Sequence, residues 1–227
     1  MPQVDLICLA NSNKMGGRCV AGLRVDGKGW VRPIATDTDH GQLYSRHYRL
    51  ENRTDPEILD VIRVDLAKPQ PSPGQPENWT IGGKGWVLVT RPIAPALYKV
   101  FHAALATGPA LLGNTERRVG VTHTAKVPAS LALIAPSRIR VFLERDRYDR
   151  LQSRVLFELG GNSYNLPITD PAWTSRIVRK LAQLEDDTYY QETIGISRDS
   201  KVLFTVSLSE AFQGYYYKLV AGIVVLP

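Results

Sequence analysis

The sequence predicts a mainly β protein with a few helices (α+β), built as two tandem OB-like barrels of five strands each. Three observations carry this. Apolar and β-branched residues fall in short runs, several alternating with polar ones and bounded by Gly, Pro and Asn. The second half reads strand, strand, strand, helix, strand, strand, the order of a five-stranded Greek-key barrel. The first half gives the same order if residues 36–57 take the helix position.

In the first half, VDLICLA (4–10) and RCVAGLRV (18–25) are β-rich and bracket a polar stretch at 10–18 that reads as their loop. DGKG (26–29) is a tight-turn signal, since its glycines take positive φ freely. WVRPI (30–34) follows as a short strand. Residues 36–57 have no clear period and leave room for a short helix near 42–50. DVIRVDLAK (60–68) alternates, with Ile62, Val64 and Leu66 opposite Arg63 and Asp65, as a half-buried strand does. PQPSPGQPEN (69–78) holds four prolines and reads as a loop. KGWVLVTRPI (84–93) is the expected fifth strand. PALYKVFHAALA (95–106) changes to a helical period, with Pro95 in the first turn. Residues 107–130 read as a linker or long loop.

In the second half, LALIAPSRIRVFLER (131–145) is long and extended, RLQSRVLFELG (150–160) is a second strand, and GN (161–162) turns into SYNLPI (163–168). A helix follows. Thr169 or Asp170 caps it, Pro171 opens it, and Trp173, Ile177, Leu181 and Leu184 form its stripe. It ends in Glu185-Asp186-Asp187, which reads as a solvated helix end and not a metal site. VLFTVSL (202–208) and YKLVAGIVV (217–225) are the last strands. The expected division is 1–107 for the first barrel and its following helix, 108–130 for a connector, and 131–227 for the second barrel. VDGKGWVRPIA (25–35) and IGGKGWVLVTRPIA (81–94) echo each other, but they fall at different strands, so the echo fixes no duplicated register.

The net charge is +6 and unevenly placed. Residues 84–154 carry 12 basic and 4 acidic side chains, against 8 and 8 in residues 1–60. The cations are mostly arginine, the better fork for phosphate and the better stacker on bases. Solubility alone is the competing account. No apolar run approaches the ~20 residues of a membrane span, and MPQVDLICLANS lacks the basic start of a signal peptide. Cys8 and Cys19 fit a reducing compartment. A cytoplasmic protein that makes no membrane contact is expected.

Several segments together are familiar: LANSNKMGGRCVAG with WVRPI, then YNLPITDPAW, then LFTVSLSEAFQGYYYKLVAGIV. This combination resembles the prokaryotic dual-OB-domain family over nearly the whole chain. The resemblance implies two OB-like barrels and recognition of nucleic acid, within genome-defence or conflict systems. It supplies no catalytic residue.

The residues themselves nominate sites. ANSNKMGGRC (10–19) is not a phosphate-binding P-loop, because Lys14 precedes Gly16-Gly17 and a strand follows. As the loop between strands one and two it would bring Lys14 and Arg18 to phosphates and Asn11 to polar edges. The alternative is a plain turn. In the second barrel, RDRYDR (145–150) interleaves Arg145, Arg147 and Arg150 with Tyr148. SEAFQGYYY (209–217) carries Phe212, Tyr215 and Tyr216, and Arg138, Arg140 and Phe142 share one strand face. Cations beside rings suit single strands, where phosphates meet arginine and bases stack. The alternative is a solvated charged face with tyrosines packed at the rim. Trp30 and Trp86 each follow GKG. Both suit core or edge packing, and an exposed Trp30 with Arg32 on the same strand face would be a stacking platform. Tyr164 and Asp170 suit packing and capping.

Catalytic constellations are scarce. His40, His47, His102 and His123 lack ligand spacing with either cysteine, and no hydrolase, zincin or dinucleotide fingerprint is present. The expectation is a non-enzymatic protein without cofactor or metal that binds DNA or RNA, single-stranded or structured. A nucleotide sensor with its ligand between the barrels is the alternative. A protein partner in a multi-component system is the third.

Overall fold

The computed structural model describes residues 3–226 except 127, 147, 183 and 185–187. The first barrel is built from β1 (Gln3–Lys14), β2 (Gly17–Arg24), β3 (Trp30–Ile34), β4 (Val61–Pro69) and β5 (Asn78–Ile81), with the single-turn helix α1 (Ser45–Tyr48) between β3 and β4. Its strand order is β1-β2-β3-β5-β4, and β4 returns to β1, so the barrel closes. The β3–β5 pair is parallel, with Arg32 of β3 opposite Asn78 of β5. Leu6, Cys8, Val20, Val31, Ile62, Val64, Leu66 and Trp86 pack inside it.

Two first-half expectations are corrected. Residues 10–18 are not a loop. β1 and β2 stay paired out to Lys14 opposite Gly17, and only Met15-Gly16 turn the chain. Both take positive φ, 44° and 75°, the form that matches the twist of a two-residue hairpin. The ribbon outruns the barrel core, so its end is polar and looks like loop in sequence. The fifth barrel strand is also not 84–93. β5 closes the barrel with four residues, and β6 (Val87–Thr90) lies outside. The edge of β4 away from β1 is shared, β6 taking Val61–Arg63 and β5 taking Leu66 and Pro69.

The second barrel has β8 (Leu131–Ile134), β9 (Ser137–Arg145), β10 (Leu151–Leu159), β11 (Asn162–Pro167), β13 (Lys201–Phe212) and β14 (Tyr215–Leu226). β7 (Arg118–Gly120) and the two-residue β12 (Tyr189–Tyr190) extend its two sheets, ordered β11-β10-β9-β12 and β7-β14-β13-β8. The stretch 131–145, expected to run unbroken, divides at Ala135-Pro136. Pro136 cannot donate to a ladder, and Arg138 takes a positive φ of 52°. This corner lets β8 pair with β13 and β9 with β10. Between β11 and β14 the sheets meet at one bridge, Ile168 opposite Val220, so this is a half-open barrel. Helix α3 (Pro171–Leu181) adds Ile177 and Leu181 to the core of Phe157, Tyr164, Phe204 and Ile223. Asp170 caps it, accepting from the backbone N–H of Ala172 and Trp173 at 3.0 and 3.2 Å.

The expected connector 108–130 is partly built into this barrel. β7 pairs with β14, and Leu111 and Val119 are buried in its core. The buried ammonium of Lys218 on β14 donates to Asn114 O, Asn114 Oδ1 and Glu116 O at 2.6–2.7 Å.

A third core joins the barrels. β1 turns Leu6 and Cys8 inward and Ile7 and Leu9 outward, and the outward pair meets Leu133, Leu203, Val224 and Phe101 of α2 (Tyr98–Ala104). Burial on both faces explains why LICLA is apolar at every position. Gly222 is required here, because a Cβ on it would stand 2.1 Å from Leu9 O. No described helix is long and apolar enough to cross a membrane.

Candidate nucleic-acid interface

The structure separates the sequence-predicted residues into two groups. The first-barrel group is tied into the protein. Asn11 donates to Pro56 O at 2.8 Å, and Arg18 to Asn13 Oδ1 at 2.6 Å. Lys14 meets Glu210 of β13 at 2.8 Å, and Glu210 also meets His40 Nδ1 at 2.8 Å. Arg32 is 1% exposed. It donates to Asn78 Oδ1 at 3.4 Å and to Ser207 Oγ of the second barrel at 3.0 Å. Trp30 packs against the core between the barrels. Trp86 is buried in the first barrel, as its packing reading expects. The proposed Trp30–Arg32 stacking platform is therefore corrected: β3 turns Arg32 into the seam, away from solvent.

The rest of that rim is also covered. Gln70–Glu77, the segment between β4 and β5, lies on the hairpin of β13 and β14. Tyr216, expected as a stacking ring, is buried and donates its hydroxyl to Pro73 O at 2.8 Å. Gly74 has φ 72°, and a Cβ there would meet the Tyr216 ring at 2.7 Å, so the loop needs glycine at this point. Glu77 accepts from both the N–H and the hydroxyl of Ser130, at 2.6 and 2.7 Å. Above this joint lies a polar cleft of about 530 Å³ that includes Lys14, His40, Gln70, Asn78 and Glu210.

The second-barrel group stays on the surface. Strand alternation sends Ile139 and Val141 into the core and Arg138, Arg140 and Phe142 out. At the tip of the β9–β10 hairpin, Tyr148 is 63% exposed, with the Arg150 guanidinium 5.1 Å from its ring centre. Arg145 pairs with Asp149 at 3.3 Å and Arg150 with Asp146 at 2.7 Å. The Arg150 contact holds the Asp146 carboxyl below its ordinary range. Arg147 lies outside the described residues. Phe212 is exposed at the end of β13, while Tyr215 carries the Arg118 guanidinium 3.9 Å over its ring.

Sequence reasoning missed two neighbours of Arg140. β12 adds two residues to the edge of β9, pairing Tyr190 with Arg140. Tyr189 points inward, and Tyr190 is 62% exposed with the Arg140 guanidinium 5.8 Å from its centre. Arg198 completes a hollow of about 440 Å³ lined by Arg138, Arg140, Tyr190 and Glu192. Three arginines face one glutamate there. Arg138 is paired with Glu158 and Arg198 with Glu192, both at 3.1 Å, and Arg140 forms no ion pair with a described residue. The strand formed by Tyr189 and Tyr190 was not visible from two residues.

Cys8 is buried in β1, where desolvation pushes its thiol far up, away from nucleophilic use. Tyr164 stacks on Phe157 at 5.4 Å and donates to Pro109 O at 2.7 Å, the packing role its sequence suggests. Among the described residues, no group of three or more His, Cys, Asp or Glu side chains is placed to hold a metal ion.

No curated protein matches the sequence. The dual OB-containing domain matches residues 4–223, nearly the whole chain. A closed five-stranded barrel with β3 parallel to β5, followed by a half-open barrel of the same strand order, is the architecture that match describes. The chain belongs to the family of dual OB-containing domains.

Proposed function

We propose that this protein is a non-enzymatic nucleic-acid-binding protein that takes unpaired stretches of DNA or RNA on the outer face of the β11-β10-β9-β12 sheet. One observation carries the reading: Arg138, Arg140 and Arg198 line one hollow with the exposed ring of Tyr190, and the Arg140 guanidinium stands 5.8 Å from that ring's centre. Bases stack on such rings, and phosphates exchange for the weak exposed carboxylate partners of the arginines. In OB-folds this face of the barrel and the loop between strands one and two are the usual places for an oligonucleotide. That loop here carries Tyr148 and Arg150. From Arg140 the outer face of β9 passes Phe142 and Glu144 and reaches the hairpin tip after about 17 Å of strand, long enough for several nucleotides.

The test is a titration of the full chain with a labelled single strand at several salt concentrations. Log affinity should fall linearly with log salt, by about 0.7 per phosphate contact. Arg140→Ala with Tyr190→Ala should weaken binding about tenfold or more. Unchanged affinity in that double variant removes the site.

A second reading rests on the polar cleft between the barrels, which is large enough for a mononucleotide. Lys14 supplies its cation, and Glu210 stands between Lys14 and the His40 ring. It requires that a mononucleotide binds as tightly as an oligomer, with little salt dependence.

A further inference from the structure

A hollow of about 650 Å³ opens between α2 and the second barrel, within the ~300–1,000 Å³ usual for small-molecule sites. Phe101, Leu105, Val202, Leu203 and Leu226 give it an apolar wall. Lys99, His102 and Lys201 are exposed and also line it. No carboxylate lines it, and neither Lys99 nor Lys201 forms an ion pair with a described residue. On the second-barrel face, by contrast, Arg138, Arg145, Arg150 and Arg198 each have an acidic partner.

We propose that this hollow binds a small amphipathic anion, a medium-chain aliphatic carboxylate. Its chain would lie against Phe101, Leu203 and Leu226, where burial of each methylene is favourable. Its carboxylate would reach Lys99 and Lys201. The two halves of the chain each supply part of the wall, α2 from one side and β13 and β14 from the other. Occupancy would therefore hold the halves together and raise the melting temperature, as any ligand specific to the folded state does. The site shares no residue with the proposed nucleic-acid face.

Calorimetric titration of the full chain with octanoate, octan-1-ol and octylamine tests this. Octanoate should bind saturably and raise Tm, octanol should bind at least tenfold more weakly, and octylamine should give no saturable heat. Lys99→Glu with Lys201→Glu, both on the surface, should cost octanoate at least tenfold and leave octanol unchanged. Ala135→Trp, at an exposed lining position, should weaken both ligands. The proposal is overturned if octanoate gives no saturable heat, if octanol or octylamine matches it, or if either variant binds octanoate like the parent.

Discussion

The two barrels share a strand order, yet they use their rims in opposite ways. In the first barrel, the loop before β5 lies on Tyr216, Arg32 reaches across to Ser207, and Lys14 is held by Glu210. Its cations and polar groups hold the molecule together. In the second barrel, Arg140, Tyr148, Arg150 and Tyr190 on and beside β9 are exposed. The same residue types thus do different work according to what the neighbouring barrel covers. A repeated fold does not imply a repeated site.

The contrast breaks most directly on affinity. Alanine at Arg140, Tyr148, Arg150 and Tyr190 together should weaken single-strand binding about 30-fold or more, since two stacked bases are worth ~1–3 kcal/mol each. The matched first-barrel pair, Lys14→Ala with Arg18→Ala, should stay within about threefold in the same anisotropy titration. Equal losses from the two sets would erase the distinction between the rims.

The first rim should instead answer in stability. Glu77→Ala leaves the buried N–H and hydroxyl of Ser130 without their acceptor. Urea denaturation should show a loss of about 2–3 kcal/mol, with single-strand affinity unchanged. Stability unaltered by this change would mean the joint is not held there.

Lys218 tests the second barrel's own seam. Burial pushes its ammonium down to about 8. The folded state therefore binds fewer protons than the unfolded chain between about pH 8 and 10.5, so this group makes stability rise with pH across that window. Lys218→Met should flatten the rise. It should also cost about 2 kcal/mol at neutral pH, because three carbonyl oxygens lose their donor. A variant that keeps the rise in a pH series of denaturation curves would assign it to another group.

The smallest effect is expected at the cleft. Lys14→Ala removes one ion pair across the seam and should cost less than about 1 kcal/mol. A larger loss by calorimetry would make that pair, and not the apolar contact beneath it, the main link between the barrels.

Most strands of the two barrels were legible because alternation and turn chemistry are local. DVIRVDLAK shows its inward face in its spelling, and Asp170-Pro171 marks the start of α3. β5 was not legible: four residues after a proline-rich loop carry too little period, and Asn78 and Thr80 are polar yet buried. The second-barrel site was half legible. RDRYDR and Arg140 stand out in one dimension, whereas Tyr190 and Arg198 arrive beside Arg140 only through the pairing of β12 with β9.

What the sequence determined by itself is the longer elements and which residues are apolar on both faces, since these follow from neighbours a few positions apart. What only the tertiary structure decided is which charges face water. Arg32 and Arg140 both lie on β strands, but Arg32 meets the other barrel and is buried, while Arg140 is exposed. Solvent exposure depends on partners far along the chain, here 175 residues from Arg32 to Ser207, and no local pattern carries that distance.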